Sequence, residues 1–143
     1  MSNSLTLNEL NLDKLSYIFN SESDYYSHLN QILTDLHPFL SNYDSVMGNV
    51  ELVLGEAINN GLTHGNKGDV SKQIKVEVWM ENTVLFLTVE DEGVGFNYND
   101  VPDPTLPENR EKLTGRGVFL MKSLADLVVF ESNGSKVEIH FKL

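Results

Sequence analysis

The sequence has no cysteine and few basic residues for its length. The absence of cysteine excludes disulfides, thiolate nucleophiles and zinc–thiolate sites, and it fits a reducing compartment. Only 10 Lys and Arg residues stand against 21 Asp and Glu residues, which gives a formal net charge of −11. Such a charge disfavours nucleic acid or an anionic membrane surface as the main partner. An anionic ligand would therefore need backbone amides or a metal ion to hold it.

Long apolar runs are also missing. No stretch approaches the ~20 residues of a membrane-spanning helix, and the N-terminal segment MSNSLTLNEL lacks the cationic start and apolar core of a signal peptide. These two absences predict a cytoplasmic protein. With 143 residues, of which 41% are hydrophobic, the chain has enough apolar material for one core. We therefore expect a single domain over residues 1–143.

The spacing of apolar residues predicts both helices and strands. Residues from about 25 to 40 and from 46 to 65 repeat at helical spacing, and a third helix is expected just after Gly117. A first strand is expected at Leu15 to Phe19. The two later strand pairs complete the order β-α-α-β-β-loop-α-β-β. Helices grouped against a largely antiparallel sheet make an α+β sandwich.

Two hairpins are predicted from alternating apolar residues on either side of a turn. In the first, a turn at Asn82 and Thr83 places Trp79 opposite Phe86. The second has an Asn-Gly turn at residues 133–134, which is a strong hairpin signal and would pair Phe130 with Val137.

The first hairpin makes Asp91 unusual. It continues the inward series Leu85, Leu87 and Val89, so its carboxylate should lie at the edge of the core. A buried carboxylate is costly without a partner, and we expect a hydrogen-bond donor beside it. Gly93 and Gly95 follow, and their lack of side chains would let a flat ligand approach the backbone. An ordinary Asp-Glu-Gly turn is the alternative for these residues alone.

The second helix carries Glu56, Asn60 and His64 in a row, four residues apart. This spacing places the three side chains along one margin of the apolar stripe. An asparagine oxygen can ligate Mg²⁺, and a glutamate can accept a proton from a nucleophile. A solvated helix flank is the alternative, and a lone histidine such as His64 is more often structural.

A third group of residues favours phosphate binding. Gly115, Arg116 and Gly117 stand just before the expected third helix, where free amide groups and the helix dipole bind anions. By themselves they would also suit a tight turn. Residues 97–114, which precede the helix, are rich in proline and have almost no apolar periodicity. A loop of this length in a compact domain is usually functional or disordered, and we expect a lid there.

The segments EAINNGLTHGN (56–66), DEGVGF (91–96) and GRGVFLM (115–121) occur in an order that resembles the N, G1 and G2 boxes of the GHKL (Bergerat-type) ATP-binding fold. The short chain and the form of its first box are similar to the anti-sigma-factor serine/threonine kinases of bacterial partner-switching systems. The resemblance extends from Leu15 to the C-terminus. It implies a two-layer α/β sandwich with a mixed, mostly antiparallel sheet, about three helices on one face and an ATP lid at residues 97–114.

The same resemblance implies roles for individual residues. Glu56 matches the general base, Asn60 the Mg²⁺ ligand and Asp91 the acceptor of the adenine amino group. The other positions implied in nucleotide binding are His64, Gly93, Gly95, Gly115, Arg116, Gly117 and Ser135, the last standing where the family usually has threonine. One departure is Leu113, near the position of an arginine that can contact the γ-phosphate. Arg110, Lys112 and Arg116 are the candidate substitutes.

The resemblance thus implies an ATP- and Mg²⁺-dependent protein serine/threonine kinase that acts as an anti-sigma factor. Its partners would be a sigma factor or similar regulator and an antagonist protein as phosphoacceptor, with no direct contact to nucleic acid or membrane. A second copy of the chain is a further expected partner, and the homodimer would form through apolar residues on the outer face of the sheet (Trp79, Phe86 and Val129). The Leu113 departure leaves a non-catalytic ATP-sensing module as the alternative. A histidine kinase catalytic domain is disfavoured, because the residues around His28 and His37 do not resemble a phosphoacceptor segment.

Overall fold

A computed structural model describes residues 10–20, 25–95 and 113–143 of the chain, with residues 113–116 described by their backbone alone. The elements follow the expected order. In the described residues the strands are β1 (Leu12–Asn20), β2 (Gln73–Glu81), β3 (Val84–Glu90), β4 (Leu127–Glu131) and β5 (Lys136–Lys142), and the helices are α1 (Tyr25–Leu40), α2 (Asp44–Asn60) and α3 (Leu113–Leu124). The fold is α+β, as predicted.

The five strands form one sheet in the order β1-β2-β3-β5-β4. Each of the four strand pairings is antiparallel. The sheet that was expected to be mostly antiparallel is therefore antiparallel throughout its described part. The antiparallel pairing of β3 with β5 places the end of β3 beside the start of β5, where Glu90 lies opposite Lys136.

Both predicted hairpin registers are confirmed. Trp79 lies opposite Phe86 in the β2–β3 pair, and Phe130 lies opposite Val137 in the β4–β5 pair. Asn82 and Thr83 have φ of 50° and 64°, so both central residues of the first turn are left-handed, as a type I′ hairpin turn requires.

The core lies between one face of the sheet and the helices. Alternate residues of the strands point inward, so that Val76, Leu87 and Ile139 are fully buried. They pack in one cluster with the apolar stripes of α1 and α2, in which buried residues recur every three or four positions. In the described residues no helix is long and apolar enough to cross a bilayer.

Helix α3 differs from its prediction in where it begins. It starts at Leu113, so Gly115 and Gly117 lie inside its first turns and not ahead of it. The first turn of a helix tolerates glycine, because its amides have no partner within the helix in any case. Burial of Val118 and Met121 on the next turn then anchors the helix. Residues 97–112 of the expected lid lie outside the described residues. This range includes Arg110 and Lys112, two of the candidate phosphate contacts.

Candidate functional site

The end of α2 widens into a π turn over Gly61–Gly65. In this turn the amide of Asn66 donates to the carbonyl oxygen of Gly61, five residues earlier, at 2.7 Å. Such turns occur mostly as single insertions in helices and frequently at functional sites. Asn60 precedes the turn and is half-buried, whereas His64 lies within it and is exposed. Both line the same pocket.

Glu56 and Asn60 lie beside Gly117 of α3. A Cβ atom on Gly117 would be 2.7 Å from Nδ2 and 3.3 Å from Oδ1 of Asn60, and 3.1 Å from Oε2 of Glu56. The missing side chain therefore lets α3 approach the polar margin of α2. The structure thus brings together two of the residues predicted on α2 and Gly117, which was predicted just ahead of α3 and lies within it.

Asp91 follows β3 at the edge of the core and is half-buried. Its carboxylate accepts a hydrogen bond from the amide of Gly93 at 2.7 Å, so the expected donor is present and comes from its own turn. Burial raises the pKa of Asp91 above its ordinary value, and this outweighs the opposing effect of the Gly93 hydrogen bond; the nearby charge of Glu90 raises it further. In the described residues no other hydrogen bond to this carboxylate is formed, which leaves capacity to accept another donor.

Glycines around Asp91 allow segments that are distant in the sequence to meet. A Cβ atom on Gly65 would overlap the Asp91 carboxylate, and one on Gly93 would overlap the carbonyl oxygen of Gly65. The π turn at the end of α2 is therefore in direct contact with the turn after β3. No larger residue fits at either position without moving the backbone or Asp91.

Ser135 contributes through its backbone. Its carbonyl oxygen accepts the amide of Asp91 at 2.9 Å. Its hydroxyl donates to the carbonyl oxygen of Ser132 at 2.9 Å, so the side chain is engaged within the turn between β4 and β5. Gly95 has φ of 86° and lies so close to the carbonyl oxygen of Asn133 that a Cβ atom would overlap it.

These elements enclose one pocket. Its predicted members are Asn60, His64, Asp91, Gly95 and Ser135. Its other lining residues are mainly apolar or glycine: Ala57, Gly61, Gly65, Val89, Met121, Phe130, Gly134 and Val137. A concave, mostly apolar site with a few polar groups is typical of a binding site for an organic ligand.

The start of α3 determines which of the predicted amide donors lack an acceptor within the helix. Gly115 and Arg116 are among the first four residues of the helix, whose amides have no acceptor within it. Gly117 is the fifth residue of α3, so its amide can form a hydrogen bond within the helix. Its main contribution is the lack of a side chain, which leaves room for Asn60 and Glu56. Of the three residues predicted to donate backbone amides to a phosphate, Gly115 and Arg116 therefore remain candidates.

Several residues of this site are absent from the sequence predictions. Gly61 and Gly65 were assigned to the apolar stripe of α2, although their spacing of four residues on that face was a signal for close packing. Asn66 was predicted only as the last residue of the EAINNGLTHGN segment, with no role of its own. Met121 was predicted only as part of the GRGVFLM segment and Phe130 only as a residue of the second hairpin, and nothing in the sequence separates core residues from those that line a pocket.

The oxygen atoms near Gly117 fit a magnesium ion. Asn60 supplies an amide oxygen and Glu56 a carboxylate, and Mg²⁺ is usually held by one or two protein oxygens together with water and substrate phosphates. In the described residues no cluster of three or more His, Asp or Glu side chains could hold a metal by itself. A metal site here would therefore depend on a bound phosphate group.

The chain is similar to known proteins over most of its length. A family model described as histidine kinase-like ATPase domain matches residues 19–141. The chain is also 28% identical over 130 residues to proteins named anti-sigma F factor from Bacillus cereus, Bacillus thuringiensis and Bacillus mycoides. Each of these alignments covers 90% of this chain and 86% of the relative.

Proposed function

The chain belongs to the family of histidine kinase-like ATPase domains, and on that premise we propose that it is an ATP- and Mg²⁺-dependent protein serine/threonine kinase that regulates transcription by partner switching. The observation that carries the proposal is the cleft between α2, α3 and the turn after β3, which Asn60 and Asp91 line, with Glu56 next to Asn60 beside Gly117. The whole chain, residues 1–143, would be one domain, with the predicted ATP lid at residues 97–112, because residues 113 and 114 belong to α3.

Asp91 is the residue proposed to recognise the base. Its half-buried carboxylate has one hydrogen bond from a described residue and can accept a second from the amino group of adenine. Apolar side chains from Val89, Met121 and Phe130 line the same pocket and suit the faces of a flat ring. Gly93 and Gly95 keep the backbone beside Asp91 free of side chains. These features together fit ATP.

Glu56 and Asn60 are proposed to act at the phosphate end. Asn60 would hold Mg²⁺, which when bound offsets the negative charge of the phosphates. Glu56 would accept the proton of the attacking serine or threonine hydroxyl, and the amides of Gly115 and Arg116 would contact phosphate oxygens. Positioning and electrostatics supply most of such a phosphoryl transfer. His64 and Ser135 complete the proposed nucleotide site.

The relatives named anti-sigma F factor suggest the partners. We propose that the chain binds a sigma factor or a similar regulator and phosphorylates a small antagonist protein, so that nucleotide state decides which partner is held. Its net charge of −11 supports a protein partner and not nucleic acid. A homodimer is part of the same proposal.

The test is a pull-down from the source cell extract with and without ATP and Mg²⁺, followed by mass spectrometry for phosphoserine and phosphothreonine. The wild-type protein should phosphorylate a recovered partner, and Glu56→Gln should bind ATP with unchanged affinity but transfer no phosphate. Asn60→Ala should lose the part of ATP binding that EDTA removes from the wild type.

Two outcomes would contradict this assignment. ATP binding without any phosphate transfer by the wild type would favour the non-catalytic ATP-sensing module, which the leucine at position 113 also suits. Equal sensitivity of the wild type and Asn60→Ala to EDTA would remove Asn60 as the metal ligand.

A further inference from the structure

Asn66 joins three segments of the chain around the cleft. It follows the π turn and has only 1% of its surface exposed. Its Nδ2 donates to the carbonyl oxygen of Gln73 at 3.0 Å, and its Oδ1 accepts the amide of Glu92 at 2.8 Å. One buried side chain therefore connects the end of the π turn, the start of β2 and the residue next to Asp91.

The turn that presents Asp91 depends on this connection. Its three successive amides each have an acceptor: Asp91 bonds to the carbonyl oxygen of Ser135, Glu92 to Asn66, and Gly93 to the Asp91 carboxylate. The Glu92 carboxylate in turn accepts the amide of Gln73. Among these acceptors, Asn66 supplies the one side chain from outside the turn.

Asparagine suits this position because it offers a donor and an acceptor on one short, planar group. Removing the side chain would take away the partner of the Glu92 amide and of the Gln73 carbonyl oxygen, whose hydrogen bonds to the buried Asn66 side chain are themselves partly buried. Polar groups that lose a partly buried partner cost free energy until they find another, so the turn is expected to shift.

We propose that Asn66 is a positioning residue, which acts through Asp91 and sets the selectivity of the cleft for adenine. The inference rests on the proposed function, because it takes Asp91 as the group that accepts the adenine amino hydrogen. Asn66 connects to the Asp91 end of the cleft and not to Glu56 or Asn60. Its loss should therefore change base selectivity more than the dependence on Mg²⁺.

The experiment compares ATP with inosine triphosphate (ITP), which carries a carbonyl oxygen where ATP carries the amino group. Titration calorimetry would give both affinities for the wild type, Asn66→Ala, Asp91→Asn and Tyr17→Phe. The last is a matched control, because it removes a hydrogen bond of 2.6 Å from Tyr17 to Asp35, which joins β1 to α1. All affinities would be measured under conditions in which denaturation curves show that each variant is folded.

The wild type should prefer ATP over ITP by on the order of 10-fold or more, the worth of one hydrogen bond to a charged group. Asp91→Asn should remove most of this preference, and Asn66→Ala should lower it by about 3-fold or more. Tyr17→Phe should lose stability but keep the wild-type preference. A purely structural role for Asn66 would instead weaken ATP and ITP binding equally and leave their ratio unchanged, which overturns the proposal.

A second variant, Asn66→Asp, keeps the proposal testable if Asn66→Ala does not fold. Asn66→Asp has the same shape, loses the donor to Gln73 and adds a negative charge beside the turn, so it should also lower the preference for ATP. If Asn66→Ala does not fold, an unchanged preference in Asn66→Asp overturns the proposal. If Asp91→Asn itself keeps the preference, the adenine assignment of the proposed function fails; if only the Asn66 variants keep it, the role of Asn66 alone fails.

Discussion

Asp91 is the residue at which stability and the proposed function oppose each other. Burial disfavours its ionised form, so its pKa is higher in the folded protein than in the unfolded chain. A carboxyl group of this kind stabilises the fold fully below its unfolded pKa, and that contribution is lost as pH rises through the folded pKa. At neutral pH the ionised side chain is therefore unfavourable to the nucleotide-free protein.

Asp91→Asn should raise the free energy of unfolding of the nucleotide-free protein at neutral pH, with the gain shrinking as pH falls into the range where Asp91 is protonated. The same variant should weaken ATP binding by roughly one to two orders of magnitude, because it removes the charge from a hydrogen bond worth ~1.5–3 kcal/mol. Urea denaturation at several pH values and titration calorimetry would measure the two effects.

Asp13→Asn, at an exposed position on β1, serves as the control and should change neither quantity. Loss of stability in Asp91→Asn at neutral pH would contradict the expectation, since it would mean that the ionised carboxylate stabilises the fold.

For single residues, the sequence predicts a position in the fold where that position follows from local spacing. The alternation along β3 was enough to place Asp91 at the core edge. Asn66 could not be found in this way, because its partners Gln73 and Glu92 come from other segments and nothing in its own neighbourhood indicates them. The roles of the predicted residues in nucleotide binding remain predictions.

Among the elements, α3 is set close to α2 by the absence of a side chain at Gly117. Gly117→Ala should leave the stability unchanged or raise it, since alanine favours a helix interior by up to ~1 kcal/mol over glycine and the methyl group would meet only the mobile ends of Asn60 and Glu56. It should weaken Mg²⁺-dependent ATP binding, because those two side chains would be displaced. Thermal unfolding and calorimetry with and without EDTA would measure both.

Gly55→Ala is the matched control. It lies in the interior of α2, where a Cβ atom would be 3.6 Å from Leu29, an ordinary contact. It should stabilise the protein by ~0.5–1 kcal/mol and leave ATP binding unchanged. If both alanine variants bind ATP as the wild type does, the closeness of α3 to Asn60 has no part in binding.

Elements with strong periodicity were predicted from the sequence, and those that depend on contacts were not. Both hairpins and the body of α1 and α2 follow from apolar spacing. The start of α3 was misplaced because glycines usually mark a boundary, whereas here tertiary contacts extend the helix through them. The π turn has the same apolar stripe as an α-helix and so gives no separate signal.

For the whole molecule, the surface proposed to form a homodimer is the face of the sheet that none of the described helices covers. Trp79 stacks on Phe86 with ring centroids 5.2 Å apart, and Val129 is 39% exposed on the same face. Sedimentation equilibrium should show a dimer for the wild type and a monomer for Val129→Glu, because a new charge opposite Glu138 would be buried beside a like charge.

Leu52→Glu provides the comparison, since Leu52 is an exposed apolar residue on α2, away from the sheet. It should remain a dimer. A wild-type protein that sediments as a monomer at all concentrations would exclude the homodimer.

The strand order has a consequence for how the chain folds. The β2–β3 and β4–β5 pairs join neighbours in the sequence, but the β3–β5 pair, with Val89 opposite Val137, must first close a long loop. The hydrogen bond from the amide of Asp91 to Ser135 lies just beyond that pair, so the end of the cleft proposed to bind the base is complete only after this long-range pair has formed. A nucleotide that binds there would select fully folded chains and draw the folding equilibrium towards them.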